Sequence, residues 1–183
     1  MANSLRKSAI QRAKEYLAVR PVFLDTETTG LDIRAEIIEI GVLDHDGNVL
    51  LNTLVRPTRS IPFEAQRIHG ISDAMVQGAP DWPEVWPLVK AVISGRYVGI
   101  YNADFDIRMM KQSHQQYMMD WDISSQRVFD VMKLYGDYLG SQKWVSLDSA
   151  GRQCGIQLPN SHRALDDTKL LRALLQYIAS RLP

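Results

Sequence analysis

Residues 22–30, Val-Phe-Leu-Asp-Thr-Glu-Thr-Thr-Gly, constrain this chain more than any other stretch. Pro21 ends the helical pattern before them. Three apolar residues follow, and then two carboxylates stand one residue apart before a polar turn closed by Gly30. Alternate residues on a strand share a face, roughly 6.5–7 Å apart, so Asp25 and Glu27 project together from the end of a predicted strand. Two acids held this way raise each other's pKa unless a cation lies between them. Oxygen-only ligands of this kind suit Mg²⁺ or Mn²⁺ rather than zinc. Taken alone, the pattern fits equally a strand end whose acids are solvated.

The segments around it predict one α/β domain with a mixed sheet. The stretch 36–43 is rich in Ile and Val, Asp46-Gly47 makes a hairpin turn, and 49–55 returns as a third strand, so the chain opens antiparallel. Pro57 and Pro62 break regular structure before a loop at Arg67-Ile68-His69-Gly70-Ile71. Asp81 with Pro83 starts a helix that ends by Gly95. Strand and helix then alternate: a buried strand at 97–101, a helix through about Met118, a brief strand at Val128-Phe129, a helix from Asp130, a small helix capped by Ser146 and a last helix over about 164–182. Before all this, Leu5, Ala9, Ile10, Ala13 and Leu17 recur at helical spacing, with Asn3 or Ser4 as cap. Residues 1–20 therefore form a helical extension to a domain over 21–183.

With 183 residues the chain can bury one sizeable core. Lys+Arg and Asp+Glu are equal at 21 each, which argues against gripping long nucleic acid by bulk charge. A small site in which bound metal supplies the positive charge stays compatible with that balance. The single Cys154 excludes an internal disulfide and a thiolate zinc cluster. No apolar run approaches a membrane span and no secretory signal opens the chain, so a cytoplasmic location is expected. Trp82, Trp86 and Trp121 fit either a core or an interface, and the oligomeric state is not readable.

Further acids fall where a sheet of this type gathers ligands, at the carboxyl ends of strands. Asp106 lies just inside the helix after the strand at 97–101. Leu171, Leu174 and Ile178 follow Asp167 by four, seven and eleven positions, which puts Asp167 in the middle of the apolar stripe. An acid there is satisfied either by the helix N-terminus or by a metal. His162 cannot share a helical face with Asp167, being offset by about 140°, but Pro159-Asn160-Ser161 reads as a loop and Ser161 as a cap. From a loop or first turn His162 can swing over the same site. His45 and His114 keep a surface assignment.

Three segments together carry a resemblance: Asp25-Thr26-Glu27-Thr28-Thr29-Gly30, Asn102-Ala103-Asp104-Phe105-Asp106 and His162-Arg163-Ala164-Leu165-Asp166-Asp167. In order and spacing they resemble the three motifs of the DnaQ-like (DEDDh) 3′–5′ exonucleases, over about 21–178. The resemblance implies a ribonuclease-H-like fold with three antiparallel strands followed by parallel ones. It implies two divalent cations, Mg²⁺ or Mn²⁺, held by Asp25, Glu27, Asp106 and Asp167, with Asp25 bridging both and His162 as general base. Ile68 and His69 would contact the terminal nucleotides, and Thr28, Thr29, Gly30, Asn102 and Phe105 would line the same pocket. The implied partner is a single-stranded DNA or RNA 3′ end, with DNA favoured, and association with a polymerase is left open. The chain's end at Pro183 favours a free-standing enzyme.

Three alternatives stand beside this reading. An RNA-trimming enzyme of the same fold would share these residues, and a polymerase-associated binding module would keep the fold without catalysis. Asp25, Glu27, Thr29, Gly30 and Glu36 also match ligand positions of an EF-hand loop, but the strand-like residues before them and the unexplained Asp106, His162 and Asp167 oppose it.

Overall fold

A computed structural model of the chain describes residues 2–121, 127–141, 143–156 and 162–182. Its centre is a five-stranded sheet in the order β3-β2-β1-β4-β5, built from β1 (Val22–Thr28), β2 (Ile37–Leu43), β3 (Val49–Leu54), β4 (Val98–Ile100) and β5 (Val128–Asp130). The hairpin neighbours β1, β2 and β3 pair antiparallel, as the short Asp44–Asn48 turn requires. β4 and β5 follow helical crossovers and pair parallel to β1 and to each other. This is the mixed ribonuclease-H-like sheet expected from the sequence. Because β1 precedes the acidic turn as a strand, the EF-hand alternative falls.

Helices cover both faces. Val22 and Leu24 enter one core with α4 (Trp82–Ile93) and α5 (Ala103–Gln116). Phe23 enters the opposite core with α1 (Ala2–Ala18), α6 (Val131–Leu139) and α8 (Ala164–Ala179). Alternation along β1 therefore sends Asp25 and Glu27 toward the α8 side and Thr26 toward α5. α7 (Leu147–Gln153) packs beside α8, while α2 (Phe63–His69) and α3 (Asp73–Val76) bring Ala65 and Val76 into a small cluster with Ile38 of β2 and Leu54 of β3. Among the described residues no helix is long and apolar enough to cross a membrane.

Three local expectations differ from the structure. The helix α1 already runs at Ala2, so Asn3 and Ser4 lie inside it instead of capping it, and Leu5 stays exposed while Ala9, Ile10 and Ala13 are buried. Arg67–His69 form the last turn of α2 instead of a loop, since burial of Ala65 and His69 outweighs the flanking breakers; Gly70, left-handed at φ 73°, ends the helix. His114 is buried, with Trp86 edge-on at 4.3 Å and Trp121 at 5.0 Å, because α4 covers the helical face that reads as polar. Trp82 and Trp86 are buried core residues, and the half-buried Trp121 packs against them.

Candidate active site

The acids converge where the carboxyl end of β1 meets the first turn of α8. One carboxylate oxygen each from Asp25, Glu27 and Asp167 lies within 4.8 Å of the others. All three side chains are half-buried, so the oxygens share a small volume with limited water. Asp106 reaches the same strand from the opposite face. It is fully buried and its Oδ1 accepts the hydroxyl of Thr26 at 2.7 Å. Two consecutive residues of β1 thus address helices on both sides of the sheet.

A further acid, not singled out from the sequence, holds this convergence in place. Glu39 pairs across the antiparallel ladder from Glu27 and is 2% exposed. Its carboxylate accepts from Arg163 Nε at 3.1 Å, from Arg163 Nη2 at 2.5 Å and from the Ala164 amide at 2.9 Å. The start of α8 is therefore pinned to β2 by an ion pair between buried Glu39 and half-exposed Arg163, and the same carboxylate satisfies a helix N-terminal N–H. Gly41, two residues further along β2, permits the approach: a Cβ there would lie 2.8 Å from the Ala164 carbonyl carbon and the Leu165 nitrogen. The signal was present, because a lone acid in the apolar run 37–43 demands a buried partner.

Crowding shows in the electrostatics. Burial and then the neighbouring Asp106, Asp167 and Glu27 push the Asp25 carboxyl well above the usual range. Burial, with Asp167 and Glu39 behind it, raises Glu27 to about 8, and Arg163 partly offsets this. Burial raises Asp106 to about 7 against the opposing Thr26 hydrogen bond. Asp167 is lifted to about 6, again by burial, while the His162 amide and ring charge pull it down. Oxygen donors crowded enough to resist ionisation are a fitting donor set for a divalent cation, which would return them to the charged form.

Of the other sequence-nominated residues, Ile68, His69 and His162 line one cleft. His162 is exposed, sits at φ 70° just before α8, and donates its backbone N–H to Asp167 Oδ2 at 3.1 Å. Pro159, Asn160 and Ser161, the expected loop and cap, lie outside the described residues. A cleft of about 460 Å³ lined by Glu39, Ile68, His69, His162 and Arg163 adjoins the acids. Ile68 is exposed there, whereas His69 is buried with Nδ1 accepting the Ile71 amide at 3.0 Å. Thr28 and Thr29 use their hydroxyls internally, on the Gly30 carbonyl and the Glu36 amide. Asn102 is left-handed at φ 62°, and the Asn102 and Ala103 amides both donate to Asp130, which caps α6 as well. Phe105 is half-buried beside Arg108.

Comparison with known proteins agrees with this arrangement. The family described as Exonuclease (RNase_T) matches residues 22–175. An uncharacterized exonuclease, CP81, of Escherichia phage 186 is 38% identical over 180 residues, covering 92% of this chain and 93% of its own. DNA polymerase III subunit epsilon of Rickettsia conorii is 32% identical over 172 residues, covering 84% of this chain and 71% of its own. Among solved structures, Exonuclease X in complex with 5′-overhanging duplex DNA is 29% identical with a TM-score of 0.67, covering 86% of this chain and 89% of its own.

Proposed function

The chain belongs to the DnaQ-like (DEDDh) exonuclease family, and on that footing we propose that it hydrolyses nucleotides one at a time from the 3′ end of single-stranded nucleic acid, DNA in preference to RNA. The observation that carries this reading is the meeting of Asp25, Glu27 and Asp167 within 4.8 Å, from segments that lie far apart in the chain. DNA is preferred because the epsilon subunit and Exonuclease X both carry DNA in their names or complexes. The epsilon relative also makes association with a polymerase a natural partner proposal.

Asp25, Glu27, Asp106 and Asp167 would hold the metal, two Mg²⁺ or Mn²⁺ ions. When bound, such ions neutralise the carboxylates and stabilise charge on the attacking and leaving oxygens of a phosphodiester. The chain's own residues do the rest. His162 takes a proton from the attacking water, its imidazole acting as general base. Its ring is exposed at the cleft while its backbone is tied to Asp167, so it turns over the acids without leaving them. Thr26 holds Asp106, and Glu39 with Arg163 holds the first turn of α8. Thr28, Thr29, Gly30, Ile68, His69, Asn102 and Phe105 line the pocket for the terminal nucleotide. The water's oxygen ends on the phosphate, the proton passes to the departing 3′-oxygen, and a nucleoside 5′-monophosphate leaves. Residues 1–20 serve as a packed extension to a catalytic domain over 21–183.

The test is digestion of end-labelled single-stranded DNA and RNA with Mg²⁺ and with Mn²⁺. Stepwise shortening from the 3′ end with mononucleotide release is expected, faster on DNA. Asp25→Asn and Asp167→Asn should abolish it, and His162→Ala should lower kcat by about 10²–10⁴-fold with binding little changed. Shortening from the 5′ end, or full activity in Asp25→Asn, would overturn the assignment.

A further inference from the structure

Of the four tryptophans, three are taken up by the core around His114, and Trp144 stands apart, 68% exposed. An exposed indole on a loose tip would mean little, but the residues that follow this one are tied to the fold. The Tyr101 hydroxyl donates to the Val145 carbonyl at 2.6 Å, and Ser146 caps α7 through the Ser149 amide. On the other side the Ser141 amide closes onto Gly136 at 2.9 Å. Trp144 forms one wall of a hollow of about 360 Å³, shared with Met132, Lys133, Gly136, Asp137 and Lys143.

Trp144 stands next to Val145, which is tied to Tyr101 just past the carboxyl end of β4, the parallel neighbour of the acid-bearing β1. Lys133 reaches Asp104 at 2.7 Å, two residues before Asp106, and so sits against the first turn of α5. The face therefore offers a flat apolar ring, the Lys143 ammonium and a Lys133 ammonium shared with Asp104 and Asp130. Among the described residues Lys143 makes no ion pair. A single strand whose 3′ end is in the acidic site must leave across some such margin. Aromatic faces beside cations hold unpaired bases whatever their sequence.

We propose that Trp144, flanked by Lys133 and Lys143, is a stacking platform for a base of the substrate strand upstream of its terminal nucleotide. The proposal rests on the exonuclease reading and adds where the strand runs. It makes the enzyme's preference for long over minimal substrates depend on one indole outside the acidic site.

The experiment compares kcat/KM on a strand of about twelve nucleotides with kcat/KM on the p-nitrophenyl ester of thymidine 5′-monophosphate, which has no upstream base. Trp144→Ala should lower the ratio of the two by about 5- to 100-fold, and Trp144→Phe should keep most of it. Lys143→Ala should weaken the dependence of strand binding on salt. In metal-free protein the strand should quench tryptophan emission more strongly in the wild type than in Trp144→Phe, because Trp82 and Trp86 are buried and Trp121 is half-buried. A ratio and a quench both untouched by these substitutions would overturn the platform. If the wild type hydrolyses neither substrate yet shows the quench, the nuclease reading fails and the platform stands. A change of oligomeric state in Trp144→Ala with the ratio unaltered would identify an interface between protein chains and also overturn it.

Discussion

Glu39 illustrates how a carboxylate near a metal site is kept out of the ligand set. It lies opposite Glu27 on the neighbouring strand, yet both its oxygens are committed to Arg163 and to the Ala164 amide. With those partners its work is to fix where α8 begins. Displacement of a reacting group by an ångström can cost on the order of a hundredfold in rate. Glu39→Gln is therefore expected to lower kcat by about ten- to a hundredfold with KM little changed. Arg163→Lys should fall between, because a lysine cannot make the forked contact. Steady-state kinetics at saturating metal separate this from a ligand defect, since extra Mn²⁺ should not restore the rate.

At the scale of elements, the decisive contact is α8 on β2. The helix start approaches the strand at Gly41 so closely that a methyl group would meet backbone atoms, which cannot turn aside as a side chain could. Gly41→Ala should lift the first turn of α8, and with it Asp167 and the His162 amide, away from β1. The expected result is a loss of about 1–3 kcal/mol of stability, as for other overpacking changes, accompanied by a larger proportional loss of activity. Thermal melts and kinetics on one preparation would show it. The same alanine in an otherwise unchanged β2 should leave the circular dichroism spectrum intact.

At the scale of the whole molecule, the raised acids tie stability to pH and to metal. An acid whose pKa is higher in the folded than in the unfolded protein binds its proton more tightly when folded. Its contribution is present at low pH and is lost as pH rises from about 4 through the folded value, which for Glu27 is about 8. Asp25, Asp106 and Asp167 act in the same direction. His69 acts oppositely, since burial lowers its pKa and stability is lost as pH falls below its unfolded value near 6.5. Metal-free protein should accordingly melt lower at pH 8 than at pH 6.5. Glu27→Gln should flatten that difference, and Mg²⁺ or Mn²⁺ should reverse it by favouring the ionised acids. Scanning calorimetry with chelator and then with metal checks all three statements.

Much of this was written in the local pattern. The apolar run into Asp25 and Glu27 specified a strand with two acids on one face, because strand periodicity is two and needs no partner to define it. The stripe Leu171, Leu174, Ile178 likewise fixed which way Asp167 points, and Asp81 with Pro83 marked the start of α4, where the structure adds a capping box with Glu84. Long-range packing decided the rest. It buried His114 among indoles, turned Arg67–His69 into helix, left Trp144 facing solvent, and joined Glu39 to Arg163 across 124 positions. Local sequence dictates hydrogen-bonding period and chain reversal, but which side chain meets which across the sheet depends on how closely two backbones can approach. In this protein the missing Cβ of Gly41 sets that distance.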